Sequence, residues 1–189
     1  KLAYKIGVFL NFYTNRPADW EKQFNLLNQL SGVDCVELLI EEIDLPLKNI
    51  NYLNKHLEKY EKLIHAPFIG PTFISPQIEL QKAATQILNK TIVFAKEINA
   101  RIITTHAGII GAFYDKKYIQ SHLSPQYQKL ISAKNTSPII TIENLPKKLG
   151  FIHNYPSLAE IDNDEMWQNC NLTLDIGHAI LDKIDYLKF

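Results

Sequence analysis

The sequence predicts an α/β fold in which an all-parallel sheet curves into a TIM-type barrel, and three observations support this. Strand-length apolar runs near 4–10, 34–40, 62–68, 101–106, 138–143 and 171–176 alternate with segments whose apolar residues recur at helical spacing. No hairpin signal of the Asn-Gly kind separates them, which favours parallel strands joined by right-handed crossovers. Acidic or imidazole side chains also stand where strands stop: His65 in KLIHAPF, His106 in RIITTHAG, Glu143 in IITIENLP, and Asp175 with His178 in LTLDIGHA. An open doubly wound sheet gathers its functional residues at one switch point. Ligand-type residues after the third, fourth, fifth and sixth strands instead require their ends to form a ring.

The elements follow in order. KLAYKIGVFL is apolar enough to resemble a signal peptide but lacks a small-residue cleavage site, so it reads as the first strand. Asp19-Trp20-Glu21 opens a helix carrying Phe24, Leu27 and Leu30 on one side, and Gly32 stops it. VELLIEE is the second strand, with Glu37 toward its end, and Leu47 to Tyr60 is the next helix. After the third strand, Pro76 opens the longest helix, which runs through Leu80, Ala84, Leu88 and Ile92 to near Asn99 with Glu79 close to its positive end. Residues 116–134 and 156–169 are less regular, with Pro125 breaking the first stretch. Ile180 to Leu187 reads as the start of a sixth helix. Six βα units fall short of the eight, in about 250 residues, that close a barrel. One partial-barrel domain over residues 1–189 is therefore expected, with a trimmed N-terminus, and either the natural chain continues beyond Phe189 or the barrel is incomplete.

With 46% hydrophobic and 21% charged residues, the 189-residue chain has the profile of a globular domain with one core. Twenty basic and twenty acidic residues cancel, so no global positive field recruits nucleic acid or an anionic membrane. Arg16 and Arg101 are the only arginines. Cys35 and Cys170 lie far apart with no CxxC pair, the pattern of reduced core thiols in a cytoplasmic protein. No stretch approaches the roughly 20 apolar residues of a membrane helix, so a soluble protein is expected.

Burying Glu143 and Asp175 at apolar strand ends is expensive without a cation or several donors. Their joint placement with His65, His106 and His178 therefore favours a shared divalent-metal site. The alternative makes each histidine a satisfied core or surface residue, and His56 and His122, in polar helical stretches, take that reading. In Asp175-Ile176-Gly177-His178, a spacing of three on a strand-to-loop turn lets carboxylate and imidazole face one cavity, with Gly177 allowing the tight backbone. Oxygen and nitrogen donors without thiolate suit Zn, Mn, Co or Fe(II), and Mg less well.

Asn144 either orients a carboxylate or substrate hydroxyl, or caps the turn that Pro146 fixes. Glu37 either accepts substrate hydrogen bonds and orients an imidazole, or faces solvent. His153 and the aromatics Phe12-Tyr13, Phe68, Phe73 and Phe113-Tyr114 follow strands, where they wall a sugar or deoxyribose ring or pack the core. Neither a phosphate-binding glycine loop nor G-x-S-x-G is present.

In this order and spacing, HAPF, THAG, IEN-LP and LDIGHA resemble the xylose-isomerase-like barrel superfamily. That superfamily holds sugar and sugar-phosphate isomerases and epimerases together with the zinc-dependent, endonuclease IV-type AP endonucleases of family 2. The resemblance spans nearly the whole chain. It implies that Glu143 and Asp175 are metal ligands in either branch, and that His65, His106 and His178 bind further zinc in the endonuclease branch. In the isomerase branch it implies that His65 and His106 contact substrate. Both branches also use a histidine after the seventh strand and a glutamate after the eighth, beyond the residues here.

Three readings stand at this point. The first is a divalent-metal-dependent isomerase or epimerase of a small keto-sugar. In that reading Glu143, or a carboxylate from the barrel units beyond Phe189, takes a proton beside a cation-polarised carbonyl, and His65, His106 or Glu37 positions the substrate oxygens. The second is zinc-dependent cleavage of DNA at abasic sites. The third is a non-catalytic barrel that serves as a binding module.

Overall fold

The computed structural model describes residues 4–12, 17–111, 115–146, 148–149, 152–185 and 187. Its first half contains β1 (Gly7–Asn11), α1 (Pro17–Leu27), β2 (Cys35–Leu39), α2 (Asp44–Lys48), α3 (Ile50–Leu57), β3 (Glu61–His65), α4 (Ile78–Glu97) and β4 (Ala100–Thr105). Then come β5 (Gly108–Gly111), α5 (Lys116–His122), α6 (Pro125–Ile131), β6 (Ile139–Glu143), β7 (Lys148–Leu149) and β8 (Ile152–Tyr155). The last elements are α7 (Leu158–Asn163), α8 (Glu165–Gln168), β9 (Leu172–Thr173) and α9 (Ile176–Leu181). The six-stranded sheet runs β1-β2-β3-β4-β6-β9 with every pair parallel. Its spatial order never reverses along the chain. This is the wall of a partial barrel rather than a doubly wound sheet.

Period-two alternation gives the two faces of this wall different work. Val36, Leu38, Ile64, Ile103, Ile140 and Ile142 belong to one buried cluster with Trp20, Phe24, Leu27, Leu53, Leu57, Leu88 and Phe94 of the helices. The residues between them, Glu37, His65, Thr104, Thr141, Glu143 and Thr173, point the other way, into the barrel. The apolar half of each strand thus holds the helical layer, and the polar half is free for chemistry.

Local chemistry sets the boundaries. β3 stops at His65 because Pro67, two residues on, cannot donate to a ladder. Pro125 stands at the first turn of α6, where Ser124 accepts from the Tyr127 amide, so the expected break falls between two capped helices. Ser157 and Glu160 form a capping box on α7.

The helix expected over 47–60 is divided at Asn49, whose side chain donates to the Leu45 carbonyl at 2.9 Å while its backbone closes α2. The last strand ends at Thr173 and not near 176, because Asp175 caps α9. That helix therefore begins at Ile176 and finishes at Leu181, reversing the expectation that Ile180 begins one.

One feature departs from the all-parallel expectation. β5, β8 and β7 form a separate three-stranded antiparallel sheet, with Gly108 opposite Tyr155 and Lys148 opposite His153. Strands of two to four residues carry too little alternation to be seen in sequence, and their register is fixed by long-range pairing with β5. Among the described residues no helix is long and apolar enough to cross a membrane.

Phe94 is fully buried on α4, whereas its neighbour Val93 is 53% exposed. Phe94→Ala is expected to lower the unfolding free energy by about 3–5 kcal/mol. Val93→Ala should change it by no more than about 0.5 kcal/mol. Urea midpoints of the two variants measure the difference.

Candidate metal centre

Glu143 closes β6 with its side chain nearly removed from solvent, and three imidazoles surround its carboxylate. Oε2 lies 3.2 Å from His65 Nε2 and 3.3 Å from His106 Nε2, and Oε1 lies 3.3 Å from His178 Nδ1. The partners come from three places. His65 is the last residue of β3, His106 follows β4 directly, and His178 lies in the first turn of α9. Parallel strands make this convergence possible, since their C-terminal ends share one rim.

Backbone carbonyls orient two of the partners, His65 and His178, and neighbouring rings flank the third. His65 Nδ1 donates to the Ala66 carbonyl at 2.9 Å, which leaves Nε2 facing Glu143. His106 stands edge-on to His65, with ring centroids 4.9 Å apart at 88°. His178 Nδ1 lies 2.9 Å from the Asn144 carbonyl. Asp175 Oδ1 accepts from the His178 amide at 2.8 Å, while Oδ2 lies 3.7 Å from His178 Nδ1. Asp175 and His178 thus face one cavity through a helix cap and not through a strand-to-loop turn. Gly177 adopts ordinary helical geometry, and a Cβ there would sit 3.1 Å from Asp175 Oδ1.

Asn144 is buried, and both ends of its amide are engaged. Nδ2 donates to the Asp175 carbonyl at 2.9 Å, and Oδ1 accepts from the Asp175 amide at 2.7 Å. It extends the β6–β9 pairing by one side-chain rung. Its amide therefore points at the Asp175 backbone and not at the cavity. Glu37 is at the middle of β2, not its end, and lines the cavity with Thr104 as a hydrogen-bond partner.

The charges in this site answer one another. Burial pushes Glu143 up, but hydrogen bonds from His106, His178 and His65 outweigh it and hold the carboxyl well below the usual carboxylate range. Burial pulls His65 down, and Glu143, the Ala66 carbonyl and Glu37 together overcome it, so the net shift is upward. Burial wins at His106, which falls below the ordinary histidine value. The Glu143 hydrogen bond raises His178. At Glu37 burial is the largest influence and the charge of Glu143 adds to it, so its pKa rises despite the opposing pull of His65.

Two overlapping groups, His65–His106–Glu143 and Glu143–Asp175–His178, each bring one ligand atom per residue within 4.8 Å of the others. That spacing and the mixture of nitrogen and oxygen donors fit a divalent cation. The cavity around them measures about 800 Å³ and is walled by Phe9, Leu39, Phe68, Ile109, Leu145 and Leu174.

Beneath the ligand rim, Thr173 Oγ1 lies 2.6 Å from Thr141 Oγ1 and 3.2 Å from Thr104 Oγ1. The sequence reading missed these hydroxyls. The signal was present, because Thr104, Thr141 and Thr173 each stand two residues before His106, Glu143 and Asp175, the spacing of one strand face.

The remaining sequence candidates lie elsewhere. Phe12 packs edge-on to Trp20, and Phe73 stacks on Tyr127 with centroids 4.0 Å apart. His56 stacks on Phe24 and His122 on Tyr118, both outside the cavity. Tyr13, Phe113, Tyr114 and the side chain of His153 lie outside the described residues.

A family model described as a xylose isomerase-like TIM barrel matches residues 24–188. Among solved structures, the chain is similar to a D-tagatose 3-epimerase-like protein, with a TM-score of 0.67 and 23% identity over 93% of this chain and 66% of that one. It is similar to a D-psicose 3-epimerase with D-tagatose from Clostridium cellulolyticum H10, with a TM-score of 0.70 and 16% identity over 97% of this chain and 66% of that one. It is also similar to an AP endonuclease, family 2, from Brucella melitensis, with a TM-score of 0.69 and 16% identity over 97% of this chain and 73% of that one. The chain thus spans about two thirds of the length of the first two, and these likenesses establish the fold. No curated protein matches by sequence.

Raised pKa values at His65 and His178 mean that a bound cation must displace protons, so apparent affinity for Zn²⁺ or Mn²⁺ rises with pH. Affinity is weak where both rings are charged and grows by up to about tenfold per pH unit for each proton released. Calorimetry in buffers of different ionisation enthalpy should record that release. Affinity flat across the histidine range would count against the site.

Proposed function

The chain belongs to the xylose isomerase-like TIM barrel family, and on that premise we propose that it is a divalent-metal-dependent isomerase or epimerase of a small keto-sugar. The observation that carries this reading is the Glu143 carboxylate enclosed by three imidazoles at the rim of a cavity of about 800 Å³, large enough for a small ligand. Glu143, Asp175 and His178 hold the cation in this reading, and Asn144 fixes the Asp175 backbone. When bound, the cation supplies Lewis-acid polarisation of neighbouring oxygen atoms.

The chain's own residues do the rest. His65 and His106, whose Nε2 atoms point inward, position substrate oxygens. A proton acceptor works best when its pKa lies near the working pH, which makes the depressed Glu143 a poor base and favours Glu37, raised by burial. Glu37 therefore takes the proton from the substrate carbon; returning it to the neighbouring carbon isomerises the sugar, while epimerisation needs a second acid on the opposite face. The ionisable residues lining the cavity, among those described, are carboxylates and histidines, which supports an uncharged sugar over a sugar phosphate.

A second reading is supported by the two overlapping ligand groups that share Glu143, an arrangement with room for more than one cation. An AP endonuclease, family 2, shares the fold, and paired cations serve phosphodiester cleavage. Metal content separates the two. One cation per chain supports the isomerase, whereas two or more, with cleavage of abasic DNA, support the endonuclease.

Glu143→Gln is expected to lose both bound metal and turnover of ketoses. Glu37→Gln is expected to keep its metal and lose at least about 100-fold in kcat. Metal analysis and kcat together test this, and a Glu37→Gln protein with undiminished kcat would return the proton transfer to Glu143.

A further inference from the structure

Between β3 and α4 the chain runs as a strap that meets the cavity at Phe68, tied at Ala66 by its amide to the Thr104 carbonyl and at Phe73 by its amide to the Ala107 carbonyl, each 2.9 Å. Pro67 and Pro71 give this strap no N–H, so few donors remain between the ties. Glu41, just beyond β2, takes two of them. Its Oε1 accepts from the Phe68 amide at 3.2 Å and its Oε2 from the Ile69 amide at 3.1 Å. The grip turns Ile69 outward, 69% exposed, and Phe68 inward. The Phe68 ring then lies 5.2 Å from the His65 ring and 5.1 Å from the His106 ring.

We propose that Glu41 is a positioning residue for substrate, fixing Phe68 against His65 and His106 so that its ring is the apolar surface on which the C–H face of a ketose rests. This rests on the ketose reading above. A carboxylate bridging two successive amides orients them more firmly than a single neutral acceptor does. An aromatic face beside polar anchors is a common way to seat a sugar-sized ligand.

The test measures KM and kcat for D-psicose and D-tagatose in metal-loaded wild type, Glu41→Ala, Glu41→Gln, Phe68→Ala and the Glu41→Ala/Phe68→Ala double variant. Exposed Glu42→Ala is the control. Metal content and amide exchange at Phe68 and Ile69 are recorded in parallel. Glu41→Ala is expected to raise KM about tenfold, with kcat within about twofold and metal content unchanged. Glu41→Gln, keeping one acceptor oxygen, should fall between it and wild type. The double variant should be no worse than Phe68→Ala, because Glu41 acts through that ring.

An unchanged KM in Glu41→Ala, or additive effects in the double variant, overturns the proposal. If wild type acts on neither ketose, the ketose reading fails by itself and exchange decides the role of Glu41. Faster exchange at both amides in Glu41→Ala but not in Glu42→Ala upholds the positioning, and unchanged exchange overturns it.

Discussion

The site is organised by a single buried anion. Glu143 sits at the end of a central strand with almost no access to water, and a carboxylate there is costly unless its lone pairs are filled. Three imidazoles fill them, one from the end of β3, one from the end of β4 and one from the first turn of α9. The same contacts that offset the burial cost join separate segments of the chain to one point on the rim. Glu143 therefore works as a structural tie and as the centre of the candidate chemistry, and removing it would leave three nitrogen-bearing rings crowded without a common partner.

Much of this was legible in the sequence because parallel strands impose a simple rule: a polar residue at the C-terminal end of each apolar run must meet the others. His65, His106, Glu143, Asp175 and His178 follow that rule, and the structure brings them together. What the sequence hid was the work done by side chains on backbone. Asn144 looks like any turn residue until the Asp175 backbone is seen lying within reach of both ends of its amide. Glu41 is hidden for the same reason, since its partners are amides more than twenty-five residues away, with no side-chain signature. The β5–β8–β7 sheet was hidden by brevity, because β7 has two residues and β8 four, too few for alternation to register.

The threonine layer extends the same logic downward. One step of period two below the ligands, Thr104, Thr141 and Thr173 close on one another through hydroxyls, and Thr141 Oγ1 donates onward to the Ile103 carbonyl at 3.2 Å. Hydroxyls suit this depth because each can donate and accept, so a chain of them is satisfied without a net charge. A charged layer here would add to the two carboxylates above it, Glu143 and Asp175, and an aliphatic one would leave the Glu37 carboxylate without its Thr104 partner.

Asp175 shows how little backbone is needed to prepare a ligand. Its two oxygens have separate tasks: Oδ1 caps α9 by accepting from the His178 amide, and Oδ2 is left on the side of the His178 ring and Glu143. An aspartate without the cap would sample several rotamers, and ordering it on binding would cost conformational entropy. Here folding of the helix has already fixed that rotamer, and the rung from Asn144 has fixed the backbone beneath it. Spacing of three between Asp175 and His178 is the N-cap to N3 interval, so one local rule of helix initiation sets the cap and brings the second ligand to the same rim. Replacing Asp175 by Asn would preserve an acceptor for the cap while removing the charge, which separates the helix-starting role of this residue from its contribution to a cation site.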